Sequence, residues 1–310
     1  MTEEKPKVVV IAGPTASGKS SLAIDLALHF DGEIVNADSM QVYRGMDVGT
    51  AKPSVNERRG IPHHLLDVVD PDEHFDAATY RSLGTPVLRD IASRNKACFV
   101  VGGTGLYIKS LLGGLLKCPQ ADPQLRDELH QEWEDRGPTH LFERLRALDP
   151  ESAQKIHPHD KLRIIRALEV YLLTRQPFSS LVQRHRFKDQ PFHALKICLQ
   201  VNRPQLYERI NQRALNMVEE GLVPETEGLL MKGYSPDLKS MNSLGYRHMR
   251  GFLEGAYDLD EAVRQLQRDT RRYAKRQLTW FGADPEMIWI KTEELEEIVK
   301  RIEVFYVRRS

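Results

Sequence analysis

The chain has 310 residues, 41% of them hydrophobic and 28% charged, a balance that fills a core under a water-compatible surface and allows one large domain or a core with a smaller second unit. Lysine plus arginine equal aspartate plus glutamate at 44 each, so total charge names no partner and only its distribution can. The three cysteines, Cys98, Cys118 and Cys198, are scattered and form no CxxC pair, which argues against a disulfide framework or a zinc site and fits a reducing cytoplasm.

Residues 8–12 read as a buried strand, short, β-branched and stopped by Gly13. This run is too short for a signal peptide or a membrane span, so a cytoplasmic protein with no membrane association is expected. Residues 20–30 show helical spacing, with Leu22, Leu26 and Phe30 along one side. A second strand is expected at 33–36, leading into Ala37-Asp38-Ser39, and a third at 65–69. Residues 80–93 suit a helix whose buried face would be Leu83, Val87, Leu88 and Ile91. Residues 98–101 make another buried strand, ended by Gly102-Gly103-Thr104-Gly105. Alternation at this rhythm predicts an α/β fold with a parallel sheet covered on both faces, and ligands at the carboxyl ends of its strands.

The texture changes near Pro119 and Pro123, and from there to Pro191 the pattern is helical. Residues 122–151 hold nine acidic and four basic residues, whereas 155–190 hold eight basic and three acidic. A mainly helical insertion at 117–190, inside a core of 1–116 and 191–310, is the simplest organisation. Strand character returns at 194–201, followed by a helix at 204–220 with proline in its first turn. Two more helical patterns, 261–281 and 293–307, close the chain.

Gly13-Pro14-Thr15-Ala16-Ser17-Gly18-Lys19-Ser20 matches GxxxxGK[ST] between a predicted strand and a predicted helix. Its backbone N–H groups and the helix N-terminus would cradle a polyphosphate, Lys19 would neutralise oxygens, and Ser20 would hold Mg²⁺. Nucleotide enzymes usually add an acidic metal ligand at the end of an apolar strand. Here residues 98–101 run into Gly102-Gly103-Thr104 instead, and Asp67 and Asp70 cap no clean apolar run.

Asp38 sits where a general base would sit, and Asp-Ser equally favours a cap or an Asx turn. Thr104 reads as a turn residue or as a substrate-facing hydroxyl. Arg209 and Arg213 lie four apart on one helix side, a solvated face or a diphosphate clamp, with Arg213 the candidate for the clamp. Arg264, Arg268, Arg271, Arg272, Lys275 and Arg276, with Asp269 the one acid inside the run, form a broad basic face that suits nucleic-acid phosphates or plain solvent. Trp280 and Phe281 read as core anchors. His63-His64 and His157 with His159 have no further ligands at metal spacing and read as structural.

Together with the phosphate loop, Asp38-Ser39-Met40-Gln41-Val42-Tyr43 and Gly102-Gly103-Thr104-Gly105-Leu106-Tyr107 strongly resemble the bacterial tRNA dimethylallyltransferases. Ala121-Asp122-Pro123 up to Arg126, the run Leu162 to Glu169, Ser243-Leu244-Gly245-Tyr246-Arg247 and Tyr273 to Phe281 extend the resemblance over nearly the whole chain. The resemblance implies a P-loop-type core with a helical insertion, acting on dimethylallyl diphosphate and the anticodon stem-loop of tRNA, with Mg²⁺ and without consuming ATP. It implies that Asp38 is the base and that the loop of residues 13 to 20 cradles the diphosphate, with contacts at Thr15, Lys19 and Ser20; the catalytic set expected from residue chemistry adds Thr104 and Arg213 to Asp38. It places tRNA contacts at Asp38, Ser39, Met40, Gln41, Thr104, Arg126, Leu162, Arg163, Ile164, Ile165, Arg166, Asn242, Ser243, Leu244, Gly245, Tyr246 and Arg247. A monomer is expected. The competing readings are a small-molecule kinase using the loop for ATP and a non-catalytic RNA-binding module.

Overall fold

The structure, a computed structural model, describes residues 5–116, 119, 121–185 and 189–307. Cys118, Lys117 at the expected start of the insertion, Arg186 and Lys188 of the basic segment, and residues 1–4 lie outside the described residues. The chain divides into two compact units, Met1–Leu112 with Gln190–Ser310, and Gly113–Asp189.

The first unit carries β1 (Lys7–Ala12), α1 (Lys19–His29), β2 (Gly32–Asn36), β3 (His63–His64), α2 (Ala77–Ser93), β4 (Ala97–Gly102) and α3 (Gly105–Gly113). After the second unit it continues with β5 (His193–Gln200), α8 (Arg203–Glu219), α9 (Leu222–Met231), α10 (Tyr246–Leu253), α11 (Leu259–Gly282), β6 (Ile288–Lys291) and α12 (Leu295–Val307). The sheet has six strands in the order β3-β2-β4-β1-β5-β6, all parallel. Strand alternation explains why β1 reads as a continuous apolar run. Val9 and Ile11 join Ile24 and Leu26 of α1 and Ile298 and Ile302 of α12 in one core, while Val8 and Val10, facing the other way, are equally buried.

Register decides where ligands can sit. Ile11, Val101 and Asn36 stand abreast across β1, β4 and β2, so the segments following these three neighbouring strands leave the sheet at one level. The crossing is tight: a Cβ on Gly102 would lie 2.2 Å from the Ala37 carbonyl oxygen, so only glycine lets β4 and β2 end this close together.

Several sequence expectations need correction. Residues 65–69 are not a strand: Leu65 and Asp67 adopt positive φ of 62° and 55°, which breaks the extended run, and β3 is only the His63-His64 pair before them. On α2 the buried face is Tyr80, Gly84, Leu88 and Ile91, and Leu83 is exposed, because Gly84 is where Leu111 packs. Trp280 is 40% exposed, and only Phe281 is a core anchor. The helices α9 and α10 and the edge strand β6 had no sequence expectation at all.

The second unit contains α4 (Pro123–Leu148), α5 (Pro150–Lys155), α6 (Lys161–Thr174) and α7 (Phe178–His185). Asp122 caps α4 by accepting the Leu125 N–H at 3.0 Å, and Gly137, at φ 79° before Pro138, divides the helix in two. Leu129, Leu141, Leu145, Ile164, Ile165 and Leu168 form its core. Glu169 is fully buried there, with its carboxylate on Arg126, Arg166 and the Asp122 N–H. Unpaired, that charge would be costly, and these partners keep its carboxyl below the usual range against the pull of burial.

Candidate active site

The loop after β1 is built to receive an anion. Ala16 and Gly18 adopt positive φ of 61° and 83°, the Thr15 and Ser17 N–H groups bond within the protein, and no side chain caps the start of α1, which leaves its first N–H groups for an anion. Lys19 reaches back to the Pro14 carbonyl at 3.3 Å and lines the chamber in front of the loop with Thr15 and Ser20. Burial lowers its ammonium to about 8, Asp38 opposes that fall and Arg213 adds to it.

Asp38 follows β2 in a turn fixed from both sides. Its own N–H donates to Asn36 Oδ1 at 3.1 Å, and its Oδ1 accepts the Met40 N–H at 2.9 Å, so the Asx turn is present. The two expectations for Asp38 are compatible, because Oδ2 makes no hydrogen bond among the described residues and the side chain lines the cavity. Thr104 after β4 accepts the Ser39 N–H at 2.9 Å, and its hydroxyl contacts that of Tyr273 on α11. Arg213 on α8 donates to the Thr50 carbonyl at 3.4 Å and faces Asp38; burial lowers its pKa and Asp38 opposes the change. Arg209, by contrast, is exposed, so only one of the two arginines is presented to the cavity.

Two chambers meet at Thr15, Asp38 and Arg213, which line both. The first combines Lys19 and Ser20 with an apolar wall of Ile34, Leu66 and Val101. The second, about 300 Å³, is lined by Ser39, Met40, Met217 and Tyr273, with Lys239, Arg247 and Arg276 around it. One of its walls, Gly49 and Thr50, is held by Glu225, whose carboxylate accepts the N–H groups of Asp47, Val48 and Gly49 and the Tyr246 hydroxyl at 2.6 Å.

Of the expected RNA contacts, Asp38, Ser39, Met40, Asn242, Ser243, Leu244 and Arg247 share the second chamber. Gln41 is buried and donates to the Thr50 and Ala51 carbonyls, so it braces that wall from the first chamber's side. Gly245 supplies the positive φ of 91° at the start of α10. Tyr246, Ile164 and Ile165 are core at 0%, 0% and 3% exposure, so their side chains pack inward and only their backbone is left for the expected RNA contact. Arg126 and Arg166 are held by Glu169, whereas Leu162 and Arg163 are exposed on α6.

The basic face of α11 is more paired than its sequence suggests. Arg247, Arg268 and Arg272 converge on Asp269, Arg264 pairs with Glu261, and Arg271 bonds Asn211. Three guanidiniums on one carboxylate leave the cluster cationic, and against burial the Arg268, His248 and Arg247 hydrogen bonds hold Asp269 well below the usual carboxylate range.

Residues missed in the sequence include Tyr273, Met217, Lys239 and Gln277. Gln277 had a legible signal: a polar residue on the line Ala262, Leu266, Ala274, Phe281 that faces the core. Among the described residues, no cluster of three or more His, Cys, Asp or Glu could hold a metal ion. The donor set that remains, the Ser20 hydroxyl beside an anion cradle, fits a Mg²⁺ carried mainly by phosphate oxygens and water.

Comparison with known proteins gives consistent relationships. The family described as IPP transferase matches residues 41–284. The tRNA dimethylallyltransferase 2 of Geotalea uraniireducens is 53% identical over 292 residues, 94% of either chain. The crystal structure of the full-length tRNA isopentenylpyrophosphate transferase from Bacillus halodurans superposes with TM-score 0.73 at 39% identity, covering 97% of both chains. A eukaryotic dimethylallyltransferase acting on tRNA superposes with TM-score 0.83 at 28% identity, covering 98% of this chain and 80% of that one.

Proposed function

The chain belongs to the IPP transferase family, and from that premise we propose that it moves a dimethylallyl group from dimethylallyl diphosphate to the exocyclic N6 of the adenine on the 3′ side of a tRNA anticodon, releasing diphosphate. The observation that carries this reading is the pair of chambers meeting at Asp38, Thr15 and Arg213. A diphosphate seated on residues 13 to 20 leaves its allylic carbon at the junction, and a nucleobase entering the second chamber brings its amine to the same place. Enzymes that act on a base atom take the base out of its stack, and the second chamber supplies the space.

An exocyclic adenine amine is a weak nucleophile, so the leaving group must depart easily and the amine must lose its proton. As the N6–C1 bond forms, the C1–O bond breaks and its electron pair goes to the diphosphate. Lys19, Arg213 and the loop N–H groups receive that charge in a site where burial strengthens them. Asp38 Oδ2 accepts the amine proton, while Oδ1 stays tied to Met40 and keeps the carboxylate aimed. Thr104 holds the Asp38-Ser39 turn through the Ser39 N–H. Ser20 would hold Mg²⁺, which adds charge neutralisation on the diphosphate.

The helical unit, 117–190 in the sequence reading, is assigned to tRNA through its exposed Leu162 and Arg163. The protein is assigned to the cytoplasm, where tRNA is found, and to a monomeric state, and the free buried thiols Cys98 and Cys198 suit that compartment. Incubating the protein with tRNA, dimethylallyl diphosphate and Mg²⁺ without ATP should yield prenylated adenosine in tRNA digests analysed by mass spectrometry. A strict ATP requirement, or phosphate on any acceptor, would replace this reading with a kinase.

A further inference from the structure

Gln277 of α11 is 5% exposed, and its amide joins two segments distant in sequence. Its Oε1 accepts the Thr15 N–H at 2.9 Å, and its Nε2 donates to the Gly103 carbonyl at 3.0 Å. Its side chain also meets the Tyr273 hydroxyl, one turn earlier on the same helix. Thr15 offers only a donor and Gly103 only an acceptor, so the two contacts fix which way the amide points.

The partners are not incidental. Thr15 belongs to the loop that cradles the diphosphate and lines both chambers. Gly103 immediately precedes Thr104, which anchors the Asp38-Ser39 turn. A Cβ at position 103 would lie 2.1 Å from Gln277 Nε2, so glycine is required for the amide to reach its place. A carboxylate could accept from Thr15 but not donate to Gly103, and an aliphatic side chain could do neither.

We propose that Gln277 is a positioning residue that locks the donor loop to the acceptor loop, so that the allylic carbon and the amine are held in one register. This inference rests on the prenyl-transfer reading. It assigns Gln277 no contact with either substrate: its effect appears in the rate of the transfer step, not in the affinity of either partner.

The test uses the full chain with Gln277→Leu, Gln277→Glu and Gly103→Ala. Single-turnover transfer, inorganic pyrophosphate affinity, tRNA affinity and melting temperature are measured for each. Gln277→Leu should slow transfer by roughly 10–100-fold, the scale of a misplaced reacting pair, with both affinities within about threefold of wild type. Gly103→Ala, which expels the amide without touching it chemically, should give the same signature, and the double variant should be no slower than the slower single. Gln277→Glu should slow transfer and also weaken pyrophosphate binding, because it puts a negative charge beside the anion loop. If Gln277→Leu does not fold, Gly103→Ala carries the decision. A folded variant with wild-type transfer, or a loss confined to affinity or to melting temperature, overturns the inference. A wild type that transfers no prenyl group removes the functional reading together with this one, whereas an active wild type with an equally active Gln277→Leu removes this one alone.

Discussion

At the residue scale, Asp38 satisfies a turn with one carboxylate oxygen and keeps the other out of any hydrogen bond among the described residues. The sequence left open whether it is a turn former or a catalytic group. The structure gives Oδ1 to Met40 and sets the side chain in the cavity wall, so the turn is present and the base role is the one proposed above. Asparagine keeps the Oδ1 contact and removes the proton acceptor. Asp38→Asn should therefore bind pyrophosphate and tRNA nearly normally while single-turnover transfer falls by roughly 10²–10⁴-fold. Near-wild-type transfer by folded Asp38→Asn would take it out of the mechanism. Lys19 supplies a separate check through its pKa of about 8. An anion favours the ammonium form, so binding needs no proton uptake below pH 8 and requires it above. The advantage in Mg²⁺-pyrophosphate affinity of wild type over Lys19→Met, followed by calorimetry, should hold from pH 6.5 to 8 and shrink by up to about tenfold per pH unit beyond. An advantage that persists unchanged to pH 10 would place the lysine's pKa well above that value.

At the element scale, the sequence revealed what repeats and hid what depends on tertiary context. β1, β2, β4 and β5 announce themselves as short apolar runs, and the loops after β1, β2 and β4 carry the motifs, so the site's location was readable before its contacts were. The stretch 65–69 looked like a strand by composition, but positive φ at Leu65 and Asp67 makes it a bent segment, and periodicity carries no information about that. Helices α9 and α10 are short, and much of their ordering comes from partners far along the chain, such as Glu225 on the 47–49 loop. A comparable long-range tie joins β2 to the end of α2: Glu33, nearly buried, binds Arg94 bidentately and His64 at 2.7 Å. The Arg94 contact brings the Glu33 carboxyl down from 4.5 to about 2, against burial. A depressed acid contributes stability that is complete above its unfolded pKa and is lost as pH falls toward the folded one. Glu33→Gln should accordingly lower the melting temperature at pH 7 by roughly 5 °C, and the gap to wild type should close between pH 4.5 and 2. A gap unchanged across that window would mean that the carboxylate is not the origin of the stabilisation.

At the scale of the whole molecule, the anion loop, both chambers and the basic face of α11 all belong to the first unit. Sequence motifs could mark stretches expected to meet RNA but not sort their members into exposed and buried, since burial is a property of the finished fold. Ile164 and Ile165 lie inside the helical core while Leu162 and Arg163, two residues earlier, are exposed. The basic face of α11 raises the same issue for charge. Asp269 gathers Arg247, Arg268 and Arg272, so part of the apparent stripe is spent on internal pairing, yet one carboxylate cannot neutralise three guanidiniums. The excess is free to attract phosphates, and exposed ion pairs of this kind contribute little to folding. Replacing Arg268 and Arg272 together with alanine should weaken tRNA binding across sequences and flatten the slope of log affinity against log salt by roughly one to two. Pyrophosphate affinity and the melting temperature should barely change. Arg163→Ala on the helical unit should weaken tRNA binding in the same way with a smaller change in slope, near one charge's worth. If the double α11 variant binds tRNA at low salt as tightly as wild type, with the same salt slope, that helix face is only solvated surface and the electrostatic attraction of tRNA must come from elsewhere on the molecule.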